Sequence, residues 1–307
     1  MAEFWLKVDK TLRHYGRDLA RVKRGLWWDL AHPAMERPVF VIGCSRAGTT
    51  LVYKTFSESG ELGSLQSETH DFWAALHPLA DKGWDTHALG EGDASDRDRE
   101  AVARYFYTQT GNQRFVDKNN QNGLCVAYLH ALFPGAHFVY VKRNPGDNIH
   151  SLIEGWDRAE QFATWSAELP ATIAIDGGSY QRWCFFLAEG WREYTDKPIE
   201  EVCAFQYRTM NEAILKARDA LPSAQWTEIR YEELVNNPVD GFARAYESAG
   251  LSFDDHMRAH CQDVISRPYN AFSEIKIDKW LTGKNADRIE SILPSVSEIA
   301  RRMGYEL

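Results

Sequence analysis

A glycine-bounded loop between an apolar run and a helical segment constrains the fold of this 307-residue chain more than any other feature. Pro38 introduces four consecutive apolar residues, 39–42, of the kind that are buried in a parallel sheet. Residues 43–50 follow with the spacing G-x-x-x-x-G-x-[ST], and residues 51–56 have the pattern of a helix. Strand, small-residue turn and helix in this order open a βαβ unit.

Apolar strands and helical segments alternate along the rest of the chain. Residues 138–141 and 226–231 are predicted strands, and each is followed by a helical pattern. Further helices are predicted around 98–110, 122–132, 181–195, 208–219 and 240–249. This alternation predicts an α/β fold of the P-loop-like, three-layer type, in which helices flank a central and mostly parallel sheet.

The first 37 residues are distinct from this alternating pattern. Their apolar residues recur near helical spacing, which predicts an amphipathic helix that packs on the main domain or binds a membrane surface or a partner. We therefore divide the chain into an N-terminal helical extension, 1–37, and a single domain, 38–307. The extension is charged throughout and lacks the apolar middle of a signal peptide.

The composition is that of an ordinary globular protein. Lys and Arg number 35 against 44 Asp and Glu, and the net charge of −9 argues against a protein that coats nucleic acid. No stretch approaches the roughly 18 apolar residues that span a bilayer. The five cysteines are scattered and form no C-x-x-C pair, so we expect a cytoplasmic protein. Whether the chain forms a homo-oligomer is left open.

The loop at 43–50 has the frame of a phosphate-binding loop with one telling departure. Such a loop points successive backbone N–H groups and a helix N-terminus at an anion. Thr49 replaces the lysine that follows the second glycine in nucleoside triphosphatases, and the side-chain cation of the loop is Arg46. A kinase of this type needs that lysine and Mg²⁺ to manage the charge of the β and γ phosphates. The loop is therefore expected to bind an anion smaller than a nucleoside triphosphate, without a metal ion.

Residues 39–51 resemble the 5′-phosphosulfate loop of the sulfotransferases that depend on PAPS (3′-phosphoadenosine 5′-phosphosulfate). In many members this loop reads approximately P-R-S-G-T-T after a hydrophobic strand, and Ser45 and Ala47 depart from that pattern. The resemblance implies that the loop holds the phosphosulfate, through Arg46, Ala47, Gly48, Thr49 and Thr50.

A second segment resembles the 3′-phosphate site of the same family. In the family, an Arg at the end of a strand and a Ser eight residues later bind this phosphate. Arg143 and Ser151 have that spacing. Only Lys142 separates Arg143 from the predicted strand 138–141. The planar donor fork of Arg143 and the hydroxyl of Ser151 suit a doubly charged group.

Two more segments resemble the family in the expected order. Residues 115–122 are similar to a D-K-T-P stretch, here without the proline, and the resemblance implies that Lys118 stabilises charge on the leaving phosphate. Residues 278–280 are similar to an S-K-W stretch, which implies that Lys279 closes over the nucleotide, with Ser273 assisting. Residues 229–234 resemble R-Y-E-D-L and are interpreted as architecture.

The general base is expected just after the helix that follows the first loop. Members that use a glutamate carry an acidic residue there, and Glu68 occupies this position. His70 is the alternative, because imidazole has an ordinary pKa near neutrality. A third interpretation is that Glu68 only pairs with Arg46 or Lys118, which would lower its pKa and make it a weaker base.

The resemblance implies a sulfotransferase that moves the sulfuryl group of PAPS to a hydroxyl of a small-molecule acceptor, leaving PAP, by in-line displacement without a metal. A metal-dependent P-loop kinase and an inactive nucleotide-binding module on the same fold are the alternatives. Aromatic residues are dense between 152 and 194, which fits either a hydrophobic or aromatic acceptor pocket or ordinary core packing. His256 and His260 have a metal-ligand spacing, but no third ligand is evident in the sequence.

Overall fold

Four parallel strands form the central sheet of the computed structural model, which describes residues 2–162, 168–266 and 275–306, with side chains from residue 16 onward except residue 17. The sheet has the order β2-β1-β3-β6, and β4 and β5 form a separate antiparallel hairpin. In chain order the strands are β1 (Val39–Ile42), β2 (Val116–Lys118), β3 (His137–Lys142), β4 (Ile173–Ile175), β5 (Gly178–Tyr180) and β6 (Trp226–Arg230).

Helices pack on both faces of the sheet. The α-helices of the described residues are α1 (Ala2–Ala31), α2 (Thr49–Phe56), α3 (His70–Leu76), α4 (Asp96–Thr110), α5 (Val126–Leu132), α6 (Pro145–Trp156), α7 (Ala159–Phe162), α8 (Ile199–Arg218), α9 (Tyr231–Asn236), α10 (Pro238–Ser248), α11 (Asp255–Asp263), α12 (Ala286–Ile292) and α13 (Ser297–Arg302).

Alternate residues of β1 point into two separate cores, as the period of a strand requires. Phe40 and Ile42 belong to the core that includes residues of α4, α5, α6 and α8. Val39 and Val41 belong to the core that includes residues of α2, α9, α10 and α11. Burial on both faces explains why this strand is apolar at every position. The predicted three-layer α/β fold with a parallel central sheet is confirmed.

The helix predicted over 181–195 is wrong. Residues 183–187 lie in irregular backbone, and the helical part of 181–195 is limited to the 3₁₀ turn Trp191–Tyr194. All five side chains of 183–187 are buried. An apolar run that is buried on every side carries no periodic signal, so the pattern does not separate a helix from extended chain. The helix predicted from 208 is real but begins nine residues earlier, at Ile199.

Polar contacts attach α1 to α4. The indole Nε1 of Trp28 donates to Glu100 Oε1 at 2.6 Å, and Arg24 Nη1 donates to the carbonyl of Gln109 at 2.8 Å. The Trp28 ring also packs against Tyr107, with 5.4 Å between centroids. Although α1 has 30 residues, neither it nor any other described helix is long and apolar enough to cross a membrane.

The strand order reverses direction at β1. The chain passes from β1 to β2 on one side and then returns past β1 to β3 on the other. In open α/β sheets, ligands bind outside the carboxyl ends of the strands at such a switch point. The carboxyl ends of β1, β2 and β3 lead to the 43–48 loop, Lys118 and Arg143, so three of the predicted segments meet at this edge.

Candidate functional site

The loop after β1 is built from uncommon backbone conformations. Gly48 has a φ of +101° and Arg46 a φ of +67°, both in the left-handed region. A Cβ on Gly48 would lie 2.4 Å from the Tyr231 ring, so this position needs glycine for its conformation and for its packing. The amide of Ala47 donates to the carbonyl of Cys44 at 3.1 Å and closes the turn. The loop leads directly into the N-terminus of α2, an end that favours anions.

Two guanidinium groups converge beside this loop. Arg143 Nη1 donates to the carbonyl of Arg46 at 2.9 Å, and Arg46 Nε donates to Ser151 Oγ at 3.2 Å. The Arg143 guanidinium lies 4.4 Å from the Tyr231 ring centroid, and that of Arg46 lies 4.8 Å from the Phe162 centroid. Burial and then the charge of Arg143 lower the pKa of Arg46. The pair is thus held together against mutual repulsion by aromatic faces and hydrogen bonds.

Buried polar atoms beside the pair lack hydrogen-bond partners among the described residues. Ser45 Oγ, Arg143 Nε and Asn148 Oδ1 belong to this group. Asn148 itself is held in place because its Nδ2 donates to the Ser45 carbonyl at 2.8 Å. An unpaired buried polar group costs about 1–3 kcal/mol. The Ser45 hydroxyl and Arg143 Nε are donors that phosphate or sulfate oxygens would satisfy, so these residues fit the anionic groups of PAPS.

The remaining loop residues lie at the start of α2. Ala47 and Thr49 are buried, and Thr50 is partly exposed. The loop thus brings Arg46, Gly48 and the two threonines together at the carboxyl edge of β1.

Asp147 anchors the segment that contains Lys279. Its Oδ2 accepts from the Asp278 amide at 2.8 Å, and its Oδ1 accepts from the Trp280 amide at 3.3 Å. The Trp280 indole packs so closely on α6 that a Cβ on Gly146 would lie 2.5 Å from it. Lys279 therefore lies against the first turn of the helix that carries the predicted 3′-phosphate serine. Sequence analysis did not identify Asp147, whose signal is an acidic residue two positions after a proline that starts a helix.

Ser273, predicted to assist Lys279, lies outside the described residues, as does Trp165 of the aromatic-rich stretch. Other members of that stretch are core residues: Trp156, Trp183 and Trp191 are buried. Their positions fit the packing interpretation.

A chain of three polar side chains lies on the other side of β1. Lys118 Nζ donates to Glu68 Oε1 at 2.7 Å and to Asn120 Oδ1 at 3.3 Å. Glu68 Oε2 lies 2.6 Å from His70 Nε2. The exposed fraction of the side chain is 25% for Glu68, 11% for His70 and 5% for Lys118. Glu68 is therefore the most exposed side chain of this chain, although its Oε2 atom is itself buried.

The charge of Lys118 controls the basicity of Glu68. Burial raises the pKa of Glu68, but Lys118 and then His70 lower it by more, so that the pKa lies at about 2. The carboxylate is ionised at neutral pH, as a base must be, yet it is weakly basic while Lys118 holds it. The pairing with Lys118 that sequence analysis considered is thus present, and the one with Arg46 is not among the described ion pairs.

Sequence analysis also missed Asp117, a fully buried carboxylate in β2. Its Oδ1 accepts from Thr69 Oγ1 at 2.7 Å, and its Oδ2 accepts from Asn122 Nδ2 at 3.0 Å and from Trp73 Nε1 at 3.1 Å. Burial raises the pKa of Asp117, and these three hydrogen bonds offset only part of that effect. A carboxylate in a buried strand requires such partners, which is the signal that would have found it.

Asp117 connects the two segments that carry the polar side chains of the site. Thr69 lies between Glu68 and His70, and Lys118 follows Asp117 directly. The Thr69–Asp117 hydrogen bond therefore fixes the segment that carries the carboxylate and imidazole relative to the strand that carries the ammonium.

Within the described parts of the chain, no group of three or more His, Cys, Asp or Glu side chains is arranged to hold a metal ion. His256 and His260 lie in α11. The five cysteines are all buried and free of disulfides.

A family model described as "Sulfotransferase family" matches residues 38–184 and 170–255, more than half of the chain. The structure is similar to sulfotransferase STF9 from Mycobacterium avium, with a TM-score of 0.55, 16% identity, and coverage of 92% of this chain and 82% of the other. It is similar to the sulfotransferase domain of the curacin biosynthetic pathway, with a TM-score of 0.53, 16% identity, and coverage of 90% and 100%.

A mouse sulfotransferase, SULT7A1, solved in complex with PAP, has a TM-score of 0.50 and 13% identity, with coverage of 87% of this chain and 85% of the other. At these identities the solved structures establish the fold alone. A search of curated protein sequences gives no significant relative.

Proposed function

Because this chain belongs to the sulfotransferase family, we propose that it transfers the sulfuryl group of PAPS to a hydroxyl of a small-molecule acceptor. One observation supports this above all others: Arg46, in a phosphate-type loop, contacts both of the other predicted residues, because its carbonyl accepts from Arg143 and its Nε donates to Ser151 Oγ. The charge of Arg143 also lowers the pKa of Arg46, so the two guanidiniums repel each other and an anion beside them is favoured. PAPS offers two anionic groups, a 3′-phosphate and a 5′-phosphosulfate, to such a pair.

The residues divide between the two ends of this donor. We assign Arg143 and Ser151 to the 3′-phosphate, and Lys279 to the nucleotide that lies between the two anionic groups. The 5′-phosphosulfate is assigned to the loop residues Arg46, Ala47, Gly48, Thr49 and Thr50. When bound, PAPS supplies an activated sulfuryl group, and PAP is the product that remains.

The chain itself contributes charge and a base. In-line transfer builds negative charge on the leaving phosphate, and Lys118 is the candidate cation for that charge. An anion that attracts the Lys118 ammonium weakens its hold on Glu68, so the pKa of Glu68 then rises toward its ordinary value. We therefore propose Glu68 as the general base, with His70, 2.6 Å away, as the group that orients its carboxylate.

Calorimetric titration of the whole chain tests the nucleotide assignment. Without added metal, PAP should bind much more tightly than ADP, because ADP lacks the 3′-phosphate. Arg143→Ala should weaken PAP roughly 10- to 100-fold, the loss expected for hydrogen bonds to a charged group. The same substitution should weaken ADP far less than PAP.

Arg230→Ala provides a matched control, because Arg230 lies 4.4 Å from the Tyr305 ring centroid just as Arg143 lies over Tyr231. It should leave PAP affinity unchanged. Equal binding of PAP and ADP, or ADP binding that depends on Mg²⁺, would contradict the assignment and favour a kinase-like site.

A further inference from the structure

The helix α1 turns its apolar side away from the domain to which it is attached. Leu19, Val22, Leu26 and Leu30 are 58%, 60%, 62% and 81% exposed. Successive members are separated by three or four residues, so they form one continuous row along the helix. A row of this length on a folded chain indicates an interaction surface, whereas single exposed apolar residues do not.

Polar contacts on the opposite side fix this orientation. Arg21 Nε donates to Gln109 Oε1 at 2.9 Å, and Arg24 Nη1 donates to the Gln109 carbonyl at 2.8 Å. Together with the Trp28–Glu100 hydrogen bond, these contacts attach α1 to α4 through its charged face. The apolar row cannot turn inward unless they break.

The row continues a heptad repeat in the sequence. The apolar positions alternate by three and four residues at Trp5, Val8, Leu12, Tyr15, Leu19, Val22 and Leu26. A repeat of 3.5 residues over three heptads is typical of a helix that packs along another helix. The stretch 5–26 covers about 33 Å of helix. Packing on a helix requires this strict period, and insertion into a lipid surface does not.

We propose that a second copy of this chain covers the row, the two α1 helices pairing in a parallel coiled coil about a twofold axis. In a parallel pair, charged residues that flank the seam meet across the interface. Asp18 and Lys23 flank it on opposite sides, five residues apart and with opposite charge. The twofold axis then pairs Asp18 of each copy with Lys23 of the other.

The placement of the domains permits this arrangement. Each domain is attached to the face of α1 that lies opposite the apolar row, so the two domains lie on the outer sides of the helix pair. A lipid surface is the weaker occupant, because an interfacial helix uses its Lys and Arg residues on anionic headgroups. Arg21 and Arg24 are instead hydrogen-bonded to α4.

Sedimentation of the full chain over a wide concentration range tests the proposal. The wild-type chain should sediment as a dimer, and Leu19→Glu combined with Leu26→Glu should halve the sedimenting mass. Both positions are exposed, so far-ultraviolet circular dichroism and PAP binding should be unchanged. Leu281→Glu is the matched control, since Leu281 is an apolar residue of similar exposure, 57%, outside α1, and it should remain dimeric. A monomeric wild type, or a dimeric double variant, would overturn the proposal.

Charge exchange tests the register. Asp18→Lys should raise the dimer dissociation constant about tenfold, as expected when two surface pairs become repulsive. Adding Lys23→Asp to the same chain should restore it. Failure of the second change to restore dimerisation would overturn the parallel register. A wild type that stays monomeric yet sediments with phosphatidylserine vesicles, and loses this with Leu19→Glu and Leu26→Glu, would assign the row to lipid instead.

Discussion

Removal of the Lys118 ammonium should expose how strongly the candidate base depends on it. The pKa of Glu68 lies at about 2, against an ordinary value of 4.5. A difference of one in pKa corresponds to about 1.4 kcal/mol, so the carboxylate is stabilised in the folded state by about 3 kcal/mol. Lys118 is the largest of the groups that lower this pKa. Lys118→Met should therefore destabilise the fold by about 2–3 kcal/mol at pH 7, since it leaves a buried carboxylate without its cation.

The pH dependence of this stabilisation has a definite sign. The folded-state pKa of Glu68 lies below the unfolded value, so its contribution is fully present above about pH 5. The contribution is lost as the pH falls toward 2, and at pH 3 about 1.4 kcal/mol should remain. The wild type and Lys118→Met should thus converge in stability as the solution is acidified.

A double-mutant cycle isolates the pair. Guanidinium unfolding followed by tryptophan fluorescence, at pH 7 and pH 3, gives the coupling free energy for Lys118→Met with Glu68→Gln. Lys142 and Glu228 supply a matched pair at 2.6 Å, outside the site. Its coupling should stay below about 1 kcal/mol, because Arg218 still pairs with Glu228 when the lysine is removed. Equal coupling in the two pairs, or a coupling in the Lys118 pair that does not fall with pH, would refute the reasoning.

Two further substitutions separate catalysis from binding. Glu68→Gln should lower sulfuryl transfer from PAPS by about 10²–10⁴-fold, the contribution of a general base, while calorimetry shows PAP affinity unchanged. Unchanged turnover would exclude Glu68 as the base, whereas an equal loss in Glu228→Gln would indicate a general effect of lost acidic charge. Asp117→Asn replaces one carboxylate oxygen, an acceptor, by an NH₂ donor that faces other donors. It should lower the free energy of unfolding by about 2–4 kcal/mol. In the surviving folded protein, kcat should fall more than PAP affinity; equal losses in both would leave Asp117 a purely structural residue.

Local sequence patterns were sufficient to predict most strands and helices of the fold. An apolar run, two glycines and a helical segment identified β1, its loop and α2, because burial on both faces makes a central parallel strand apolar throughout. The same reasoning located β3 and β6. It failed at 181–195, where burial from all sides removes the period that distinguishes a helix, and β2 is too short, at three residues, to stand out.

The sequence predicted which segments contribute to the site, but not which side chains of these segments contact one another. The spacing of Arg143 and Ser151 indicated one anion site, yet the Arg46–Ser151 hydrogen bond joins that segment to the loop of another. Asp117 lay unnoticed beside Lys118, because its role depends on Thr69, which is 48 positions away in sequence.

Chain order and residue type alone determined which pieces exist: a glycine-bounded anion loop, strands whose ends carry cations, and a helix with a heptad row. Folding alone decided which charges face one another, which side of α1 meets solvent, and how basic Glu68 is. The physical reason is that Coulomb energy and desolvation depend on distance and burial, and neither quantity is specified by separation along the chain.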